Sequence, residues 1–260
     1  MLIALKGTTL GYNDRGRGER PLLLLHAFPL DRRMWQRVAP RLERTARLVT
    51  FDLRGLGESD GDGQPSIDGF ADDAAALLDA LGIRRAVVGG LSMGGYAALA
   101  FARRHPERLA GLLLADTRAA ADTPEGRAAR DVAIARIAGE GVGPFCEEFV
   151  GKLVAPSNGA AKDHALAIAL SQTPVGVAGA LGALRDRPDA TAHLASIAVP
   201  TTVIVGALDA VTPPSDARLL ARAIPGATLV EIPGSGHLAA LEAPEAFADA
   251  AEALLERARL

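Results

Sequence analysis

The chain has 260 residues, of which 49% are hydrophobic and 23% charged, a composition typical of a soluble globular protein with one large α/β domain or a core domain carrying an insertion. The net charge of −3 gives no indication of nucleic acid or an anionic membrane as a partner. A single cysteine, Cys146, excludes an intrachain disulfide, and we interpret it as a small buried apolar residue rather than a nucleophile.

The amino-terminal segment is not typical of a signal peptide. Residues 1–7 lack a basic region followed by a sustained apolar run, and no uncharged apolar stretch is long enough to span a bilayer. We therefore expect a cytoplasmic protein that has neither a membrane nor nucleic acid as its partner.

The first half of the chain alternates strand-like and helix-like patterns. Two short strands are expected within residues 2–12, and the polar, glycine-rich segment 13–20 is expected to be a turn. Apolar runs predict further strands at 21–25, 47–51, 84–88 and 108–115. Helices are predicted after Asp31, from Ser66 or Asp68 to Leu81, and over 92–104.

The second half begins with a segment that contains no strand-like run. Residues 117–198 show helical patterns at about 124–139, 143–153, 160–171, 174–185 and 190–196. Strands at 201–205 and 228–232 and helices at 213–223 and 244–257 follow, with Thr212 as the expected N-cap of the first helix. Strands alternating with helices predict a doubly wound, mostly parallel sheet, with a core at 1–116 and 199–260 and a helical insertion at 117–198.

The segment Gly90-Leu91-Ser92-Met93-Gly94 reads G-x-S-x-G and lies between a predicted strand and a predicted helix. That context is the one in which the motif forms a sharp turn with the serine at its tip. The tip residue takes a strained backbone conformation, and glycines let the neighbouring chain segments approach closely. We predict that Ser92 is a nucleophile exposed at the carboxyl edge of the sheet.

A serine hydroxyl needs a base within hydrogen-bond reach, and the preferred base is His237. It lies in the glycine-rich loop 233–238, directly after the last predicted strand, where ligands bind in open α/β sheets. The other four histidines have structural or surface interpretations. His26 is expected to hold the loop after strand 21–25, His105 to end a helix, and His164 and His193 to be solvated.

The base needs an orienting carboxylate, and Asp209 is the preferred candidate. It follows a strand and precedes His237, which gives the order Ser, Asp, His that is typical of this motif. Asp116, at the end of another strand, is the alternative. Asp52 and Asp60 are interpreted as structural residues of the loop that also holds Arg54.

Acyl transfer also needs two donors aimed at the developing oxyanion. We expect these to be the backbone N–H groups of Met93, directly after the nucleophile, and of Phe28, since Pro29 has no N–H. No metal and no organic cofactor is expected.

These residues resemble the α/β-hydrolase fold superfamily over the whole chain. The matching motifs are His26-Ala27-Phe28-Pro29, residues 52–59, residues 90–94, residues 206–209 and Gly234-Ser235-Gly236-His237. In detail the chain is similar to small bacterial carboxylesterases and 3-oxoadipate enol-lactone hydrolases. The resemblance implies that 117–198 is a helical cap over the active site. Ala27 replaces the usual glycine, which leaves the Phe28 N–H available.

The resulting expectation is a serine hydrolase that cleaves a small-molecule ester or lactone through an acyl-enzyme. Relatives with aspartate or cysteine at the turn are excluded by Ser92. Apolar walls of the substrate pocket are expected from Met34, Trp35, Met93, Phe145 and Phe149. The alternatives are a cofactor-free perhydrolase, a C–C bond hydrolase on the same triad, or a non-catalytic ligand receptor.

Overall fold

A computed structural model of the protein describes residues 1–5, 7–16, 18–61 and 65–258, and within them eight strands form one sheet. The strands are β1 Leu2–Leu5, β2 Thr8–Arg15, β3 Pro21–Leu25, β4 Arg47–Phe51, β5 Ala86–Leu91, β6 Leu109–Ala115, β7 Thr201–Gly206 and β8 Thr228–Ile232. Their spatial order is β1-β2-β4-β3-β5-β6-β7-β8. The β1–β2 and β2–β4 pairs are antiparallel and the other five are parallel, which confirms the predicted fold class.

Helices flank the sheet. They are α1 Ala39–Leu42, α2 Ile67–Ala80, α3 Met93–Arg104, α4 Pro124–Glu140, α5 Val142–Leu153, α6 Gly159–Leu170, α7 Pro174–Arg185, α8 Pro214–Ala223, α9 Ala239–Glu242 and α10 Pro244–Arg257. Short 3-10 helices span Arg32–Arg37, Pro106–Arg108 and Thr191–Ser196. Helix α3 packs against β3, β5 and β6, while α10 packs against β6 and β7.

The central strands β5 and β6 are buried along their whole length, as continuous apolar runs predict for parallel strands covered on both faces. Because β3 to β8 run in parallel register, their carboxyl ends lie along one edge of the sheet. The loops that follow these strands therefore bring distant parts of the sequence together at that edge.

Residues 117–200, between β6 and β7, contain helices and no strand. Helix α4 packs on α7 and α5 on α6, and the ends agree with the predicted helices to within one or two residues. Gln172, buried just after α6, joins this segment to the rest of the chain. Its Nε2 donates to Asp31 Oδ2 at 2.8 Å, and its Oε1 accepts the Gly57 N–H at 2.9 Å.

Three predicted details were wrong. The predicted turn at 13–20 is partly strand, because Asn13, Asp14 and Arg15 continue β2 and pair with β4. The predicted strand 84–88 is displaced to Ala86–Leu91, because β5 continues alongside β6 up to the serine turn. The N-cap of α8 is Pro213 rather than Thr212. Residues 6 and 17, within the predicted strands and turn, lie outside the described residues.

In the part of the chain that the structure describes, no single helix has the length and apolar character needed to cross a bilayer. Among the described helices, α6 and α7 taken together, a pair bent by 106°, satisfy that test by length and composition.

Candidate active site

Ser92 lies at the turn between β5 and α3 with φ 56° and ψ −112°, a conformation that non-glycine residues rarely adopt. The flanking glycines make the turn sterically feasible. A Cβ on Gly90 would lie 2.0 Å from the Gly94 carbonyl oxygen, and one on Gly94 would lie 2.0 Å from the Leu25 carbonyl oxygen. Two hydrogen bonds hold the turn: the Ser92 N–H donates to the Ala115 carbonyl at 2.9 Å, and the Thr117 hydroxyl donates to the Ser92 carbonyl at 3.0 Å.

The three side chains selected from the sequence lie in one hydrogen-bonded chain. Ser92 Oγ is 2.8 Å from His237 Nε2, and His237 Nδ1 is 2.8 Å from Asp209 Oδ2. His237 and Asp209 are almost fully buried. Since a carboxylate can only accept, this arrangement places a proton on Nδ1 and leaves Nε2 free to accept from the serine hydroxyl.

The Asp209 carboxylate is also held by the loop that follows it. Oδ1 accepts the N–H groups of Val211 at 2.8 Å and Thr212 at 3.0 Å, and Oδ2 accepts the Thr212 hydroxyl at 2.8 Å. Burial raises the pKa of Asp209. The hydrogen bond and electrostatic attraction to His237, together with the hydrogen bonds from Thr212, lower it by more, so the pKa lies below its ordinary value. Thr212 was assigned to a helix cap from the sequence, and its bond to the carboxylate was missed.

Contacts between separate parts of the chain hold the loop that carries His237. Its backbone N–H donates to the Leu153 carbonyl at the end of α5, at 2.8 Å. The Glu242 carboxylate accepts the N–H groups of Gly236 at 3.0 Å, Leu238 at 3.1 Å and Ala155 at 2.8 Å. Sequence reasoning missed Glu242, because its partner Ala155 lies 87 positions away and no local pattern marks it.

Asp116, the alternative acid, does not hydrogen-bond to the histidine. It is fully buried with φ 44°, and its two oxygens accept the Gly206 N–H at 2.8 Å and the Ala239 N–H at 3.2 Å. Burial and the neighbouring charge of Asp209 raise its pKa well above the ordinary value, against the effect of the two N–H donors. Asp116 therefore ties the loops after β7 and before α9 to the end of β6.

His26 is buried behind the loop that follows β3. Its Nε2 accepts the Leu53 N–H at 2.8 Å, and its Nδ1 lies 3.0 Å from the Ala27 carbonyl. Burial lowers the pKa of His26, so the imidazole is held neutral with its proton on Nδ1. Met34 supports the same loop, because its sulfur accepts the Ala27 N–H at 3.2 Å.

The two candidate oxyanion donors are open. Among the hydrogen bonds of the described residues, neither the Phe28 N–H nor the Met93 N–H has an acceptor. Met93 is the first residue of α3, a 12-residue helix whose amino-terminal N–H groups and dipole favour negative charge. The peptide bond between Phe28 and Pro29 is cis.

Of the predicted pocket walls, Phe145 and Phe149 lie beside the candidate oxyanion loop. Their rings stack on each other with centroids 5.3 Å apart, and they lie 6.2 and 5.5 Å from the Phe28 ring. Trp35 instead packs against Phe247 of α10, with centroids 5.8 Å apart and 1% of its surface exposed. Trp35 and the fully buried Met34 belong to the packed interior rather than to this aromatic cluster.

The polar residues that we interpreted as structural form hydrogen bonds or ion pairs with neighbouring residues. Asp52 is buried, pairs with Arg32 and accepts the Arg32 and Glu58 N–H groups at 2.8 Å. Asp60 accepts the Thr9 N–H at 2.9 Å. Arg54, in the same loop, pairs with Asp73 at 2.6 Å. None of these groups joins the serine–histidine–aspartate chain in the described structure.

The remaining histidines and the cysteine lie away from Ser92. His105 follows α3 and its Nε2 is 2.8 Å from Asp72 Oδ1, so an acidic partner as well as the helix end stabilises it. His164 is half-buried, with Nε2 3.4 Å from the Arg33 carbonyl, and His193 is exposed. Cys146 is buried, as predicted, and burial raises the pKa of its thiol to about 11.

Comparison with known proteins agrees with this fold. A sequence model of the alpha/beta hydrolase family matches residues 22–250. The chain belongs to that family. This alpha/beta hydrolase is 31% identical to 3-oxoadipate enol-lactonase 1 of Acinetobacter baylyi, over 95% of its own length and 93% of the relative's.

Solved structures of similar chains include an esterase of Thermogutta terrifontis with malate bound and the enol-lactonase of Burkholderia xenovorans. The first has a TM-score of 0.94 at 39% identity, covering 98% of this chain and 97% of that one. The second has a TM-score of 0.91 at 28% identity, covering 98% and 100%. The resemblance to esterases and enol-lactone hydrolases expected from the motifs is therefore confirmed.

Proposed function

We propose that this alpha/beta hydrolase cleaves a carboxylic ester or lactone of a small molecule through an acyl-enzyme on Ser92. The observation that carries the proposal is the continuous chain from Ser92 Oγ through His237 to Asp209, with both links at 2.8 Å. The esterase and enol-lactonase named among the similar proteins support the same reaction class.

His237 is the general base of the first step. As Ser92 Oγ attacks the substrate carbonyl carbon, its proton passes to His237 Nε2, and the carbonyl oxygen becomes an oxyanion. Asp209 keeps the Nδ1 proton in place and stabilises the imidazolium that forms. Thr212, which donates to the same carboxylate oxygen at 2.8 Å, fixes the orientation of that carboxylate.

The oxyanion is stabilised by the N–H groups of Phe28 and Met93, aided by the α3 dipole. Loss of one such donor typically costs about 3–4 kcal/mol of transition-state stabilisation. His26 and Met34 position Phe28 by holding Ala27 from both sides, through its carbonyl and its N–H. Protonated His237 then gives its proton to the leaving alcohol oxygen, which breaks the ester bond.

Deacylation repeats these roles with water as the nucleophile. His237 removes a proton from water, hydroxide attacks the acyl carbon, and Ser92 Oγ leaves with the proton returned by His237. The products are a carboxylic acid and an alcohol, or a hydroxy or keto acid from a lactone. The balance of this cycle requires no metal or organic cofactor.

We propose that residues 117–198 form a cap domain over a core built from 1–116 and 199–260, and that the aromatic cluster of Phe28, Phe145 and Phe149 binds the acyl part. Phe145 and Phe149 come from α5 of this cap, whose last residue accepts the His237 N–H. An apolar wall of this kind favours an uncharged acyl group. A lactone remains within the same chemistry, as the names of the similar lactonases suggest.

The first test is hydrolysis of p-nitrophenyl esters of increasing acyl length by the wild type and Ser92→Ala. We expect turnover that Ser92→Ala loses, with the far-UV circular dichroism unchanged. Phe149→Ala should shift the preferred acyl length upward, whereas the matched variant Phe247→Leu, at the Trp35 contact, should leave the profile unchanged. Turnover that survives in Ser92→Ala would refute the proposed nucleophile.

If the wild-type protein hydrolyses none of these esters, a second measurement is needed. Incubation with a p-nitrophenyl phosphonate, followed by mass spectrometry, reports whether Ser92 is nucleophilic without a matching substrate. Labelling of Ser92 together with hydrolysis of an enol-lactone would narrow the substrate to lactones. Failure of both labelling and hydrolysis by folded protein would overturn the proposal.

A further inference from the structure

A cavity of about 340 Å³ lies beside α3, at the place where the chain enters and leaves the helical segment; we call it the hinge cavity. Its inner wall includes Tyr96, Leu99 and Ala102 of α3. Its outer walls are residues 118–119, which lead from β6 to α4, and residues from 187–199, which lead from α7 to β7. Among the described residues, those that line it do not include Ser92 or His237, so this space is separate from the proposed active site.

Arg187 lines the hinge cavity with 1% of its side chain exposed. Its guanidinium lies 4.4 Å above the Tyr96 ring centroid, and Nη1 pairs with Asp122 at 2.7 Å. Nη1 and Nη2 also donate to the carbonyls of Leu184 at 2.9 Å and Ala120 at 3.0 Å. The Nε–H is buried and has no hydrogen-bond partner among the described residues. A buried donor in this state is rare. Because the atom has almost no accessible surface, a ligand in the cavity does not contact it directly.

Arg118 is a second cation on the same cavity, and its pairing is loose. Its Nε is also buried without a partner in the described structure, and its nearest carboxylates are Asp122 at 3.4 Å and Asp216 at 4.0 Å. Asp122 is shared, since it pairs more closely with Arg130 at 2.5 Å and with Arg187. Because Asp122 is shared by three guanidinium groups and Asp216 is 4.0 Å away, Arg118 is the cation of this group with the weakest pairing.

The acidic residues that line the hinge cavity are already satisfied. Asp68 pairs with Arg103 at 2.6 Å. Asp189 accepts the N–H groups of Thr191 at 2.8 Å and Ala121 at 3.2 Å. The loosely paired cation on the cavity is therefore Arg118, which favours an acceptor with negative charge.

The rest of the lining is mostly apolar and includes Leu99, Leu194 and Ile197. We propose that the hinge cavity binds a small carboxylate with an apolar tail, its head on the Arg118 guanidinium, whose side chain is 34% exposed. The volume of 340 Å³ equals that of roughly eleven waters at about 30 Å³ each, enough for a ligand of about ten non-hydrogen atoms. A straight-chain carboxylate with eight carbons has this size.

The test is isothermal titration of the full-length protein with sodium octanoate, with 1-octanol as the uncharged probe with the same tail. We expect one octanoate site, at least about tenfold tighter than 1-octanol, and a rise in the melting temperature on binding. The site is independent of the proposed hydrolysis, so Ser92→Ala should keep the same affinity. Failure of the esterase proposal would therefore not affect this result.

Two variants locate the site. Arg118→Gln removes the loosely paired cation and should weaken octanoate about tenfold without changing 1-octanol binding. Ala102→Phe fills the cavity from α3 and should abolish binding of both probes. Matched controls are Arg44→Gln and Ala253→Phe, at exposed positions that do not line the cavity, which should bind as the wild type does.

Three results would overturn the proposal. If octanoate binds Ala102→Phe and Arg118→Gln as tightly as it binds the wild type, its site lies elsewhere, for example on the Phe28 cluster. If 1-octanol binds as tightly as octanoate, the cavity does not recognise an anion. If octanoate does not bind the folded wild type at millimolar concentration, the cavity is not a site for this class of ligand.

Discussion

Replacement of His26 by glutamine tests whether the loop carrying Phe28 is held by a neutral, buried imidazole. His26 is fully buried, accepts the Leu53 N–H at 2.8 Å and lies 3.0 Å from the Ala27 carbonyl. A glutamine amide can offer an oxygen to Leu53 but does not titrate. Alanine at the same position leaves the Leu53 N–H without an acceptor, which costs about 1–3 kcal/mol, with a further loss from the void.

The sign of the pH effect follows from burial, which lowers the pKa of His26 below 6.5 in the folded protein. As the pH falls below about 6.5, the unfolded chain binds a proton at His26 that the folded protein does not bind. Stability is therefore lost on acidification, by up to about 1.4 kcal/mol per pH unit, until the pH reaches the lowered folded pKa. Above about pH 7 both states are neutral and the contribution is constant.

The titration of Asp116 has the opposite effect on folding stability, also at acidic pH. Its raised pKa makes the folded protein bind a proton that the unfolded chain has released, so stability falls as pH rises from 3.8 toward the folded pKa. The wild-type curve alone therefore does not isolate His26. The difference between wild type and His26→Gln does, because both proteins carry Asp116.

Urea unfolding of wild type, His26→Gln and His26→Ala at about pH 7.5, 6.5 and 5.5 provides the measurement. The stability of wild type relative to His26→Gln should fall by up to about 1.0 kcal/mol between pH 6.5 and 5.5, while His26→Ala should be the least stable variant at pH 7.5. His193→Gln, at an exposed position, is the control and should track the wild type. A pH-independent difference between wild type and His26→Gln would refute the reasoning.

Three substitutions in or beside the site and one labelling experiment on the buried cysteine provide further tests. Asp209→Asn should lower kcat about 10⁴-fold on a p-nitrophenyl ester with unchanged circular dichroism, and a loss below tenfold would exclude Asp209 as the orienting acid. Glu242→Gln should weaken the hydrogen bonds from the three N–H groups that the carboxylate accepts. We expect a lower kcat, and a free energy of unfolding in urea that is lower by about 1–3 kcal/mol. Gly94→Ala should prevent folding, seen as loss of soluble protein, because its Cβ would lie 2.0 Å from the Leu25 oxygen. Cys146 should react with iodoacetamide at about pH 8 at least about 100-fold more slowly in folded than in urea-unfolded protein, since burial raises its pKa to about 11; equal rates would contradict this.

The sequence was most informative where one residue pattern has one structural solution. The run Pro21–Leu25 is apolar throughout, so it forms a strand covered on both faces, with the predicted bounds. The strands Arg47–Phe51 and Thr228–Ile232 also have their predicted bounds, and the predicted helix 174–185 has the bounds Pro174–Arg185. Ser92, Asp209 and His237 were selected from strand ends, and the parallel register brings strand ends together.

The sequence was uninformative where a contact depends on how separate segments pack. Gln172 contacts Asp31 and Gly57, and Glu242 contacts Ala155, across distances of 87 to 141 positions. Thr212 is different, because a hydroxyl three residues after Asp209 was visible in the sequence. Its position beside Pro213 favoured a helix cap. In the structure its hydroxyl instead donates to the buried Asp209 carboxylate. The cytoplasmic location and the absence of a cofactor stay predictions.

The preference for Asp209 over Asp116 has a physical basis in how each strand end treats negative charge. Asp209 accepts two N–H groups and one hydroxyl besides the imidazole, and these keep its pKa low despite burial. Asp116 accepts two N–H groups only, and burial together with the Asp209 charge raises its pKa. Two buried carboxylates that influence each other's pKa do not both ionise readily, and the negative charge is favoured on the one with more donors. The raised pKa of Asp116 and the lowered pKa of Asp209 therefore favour Asp209 as the anion that faces His237, while Asp116 connects separate segments at this edge of the sheet.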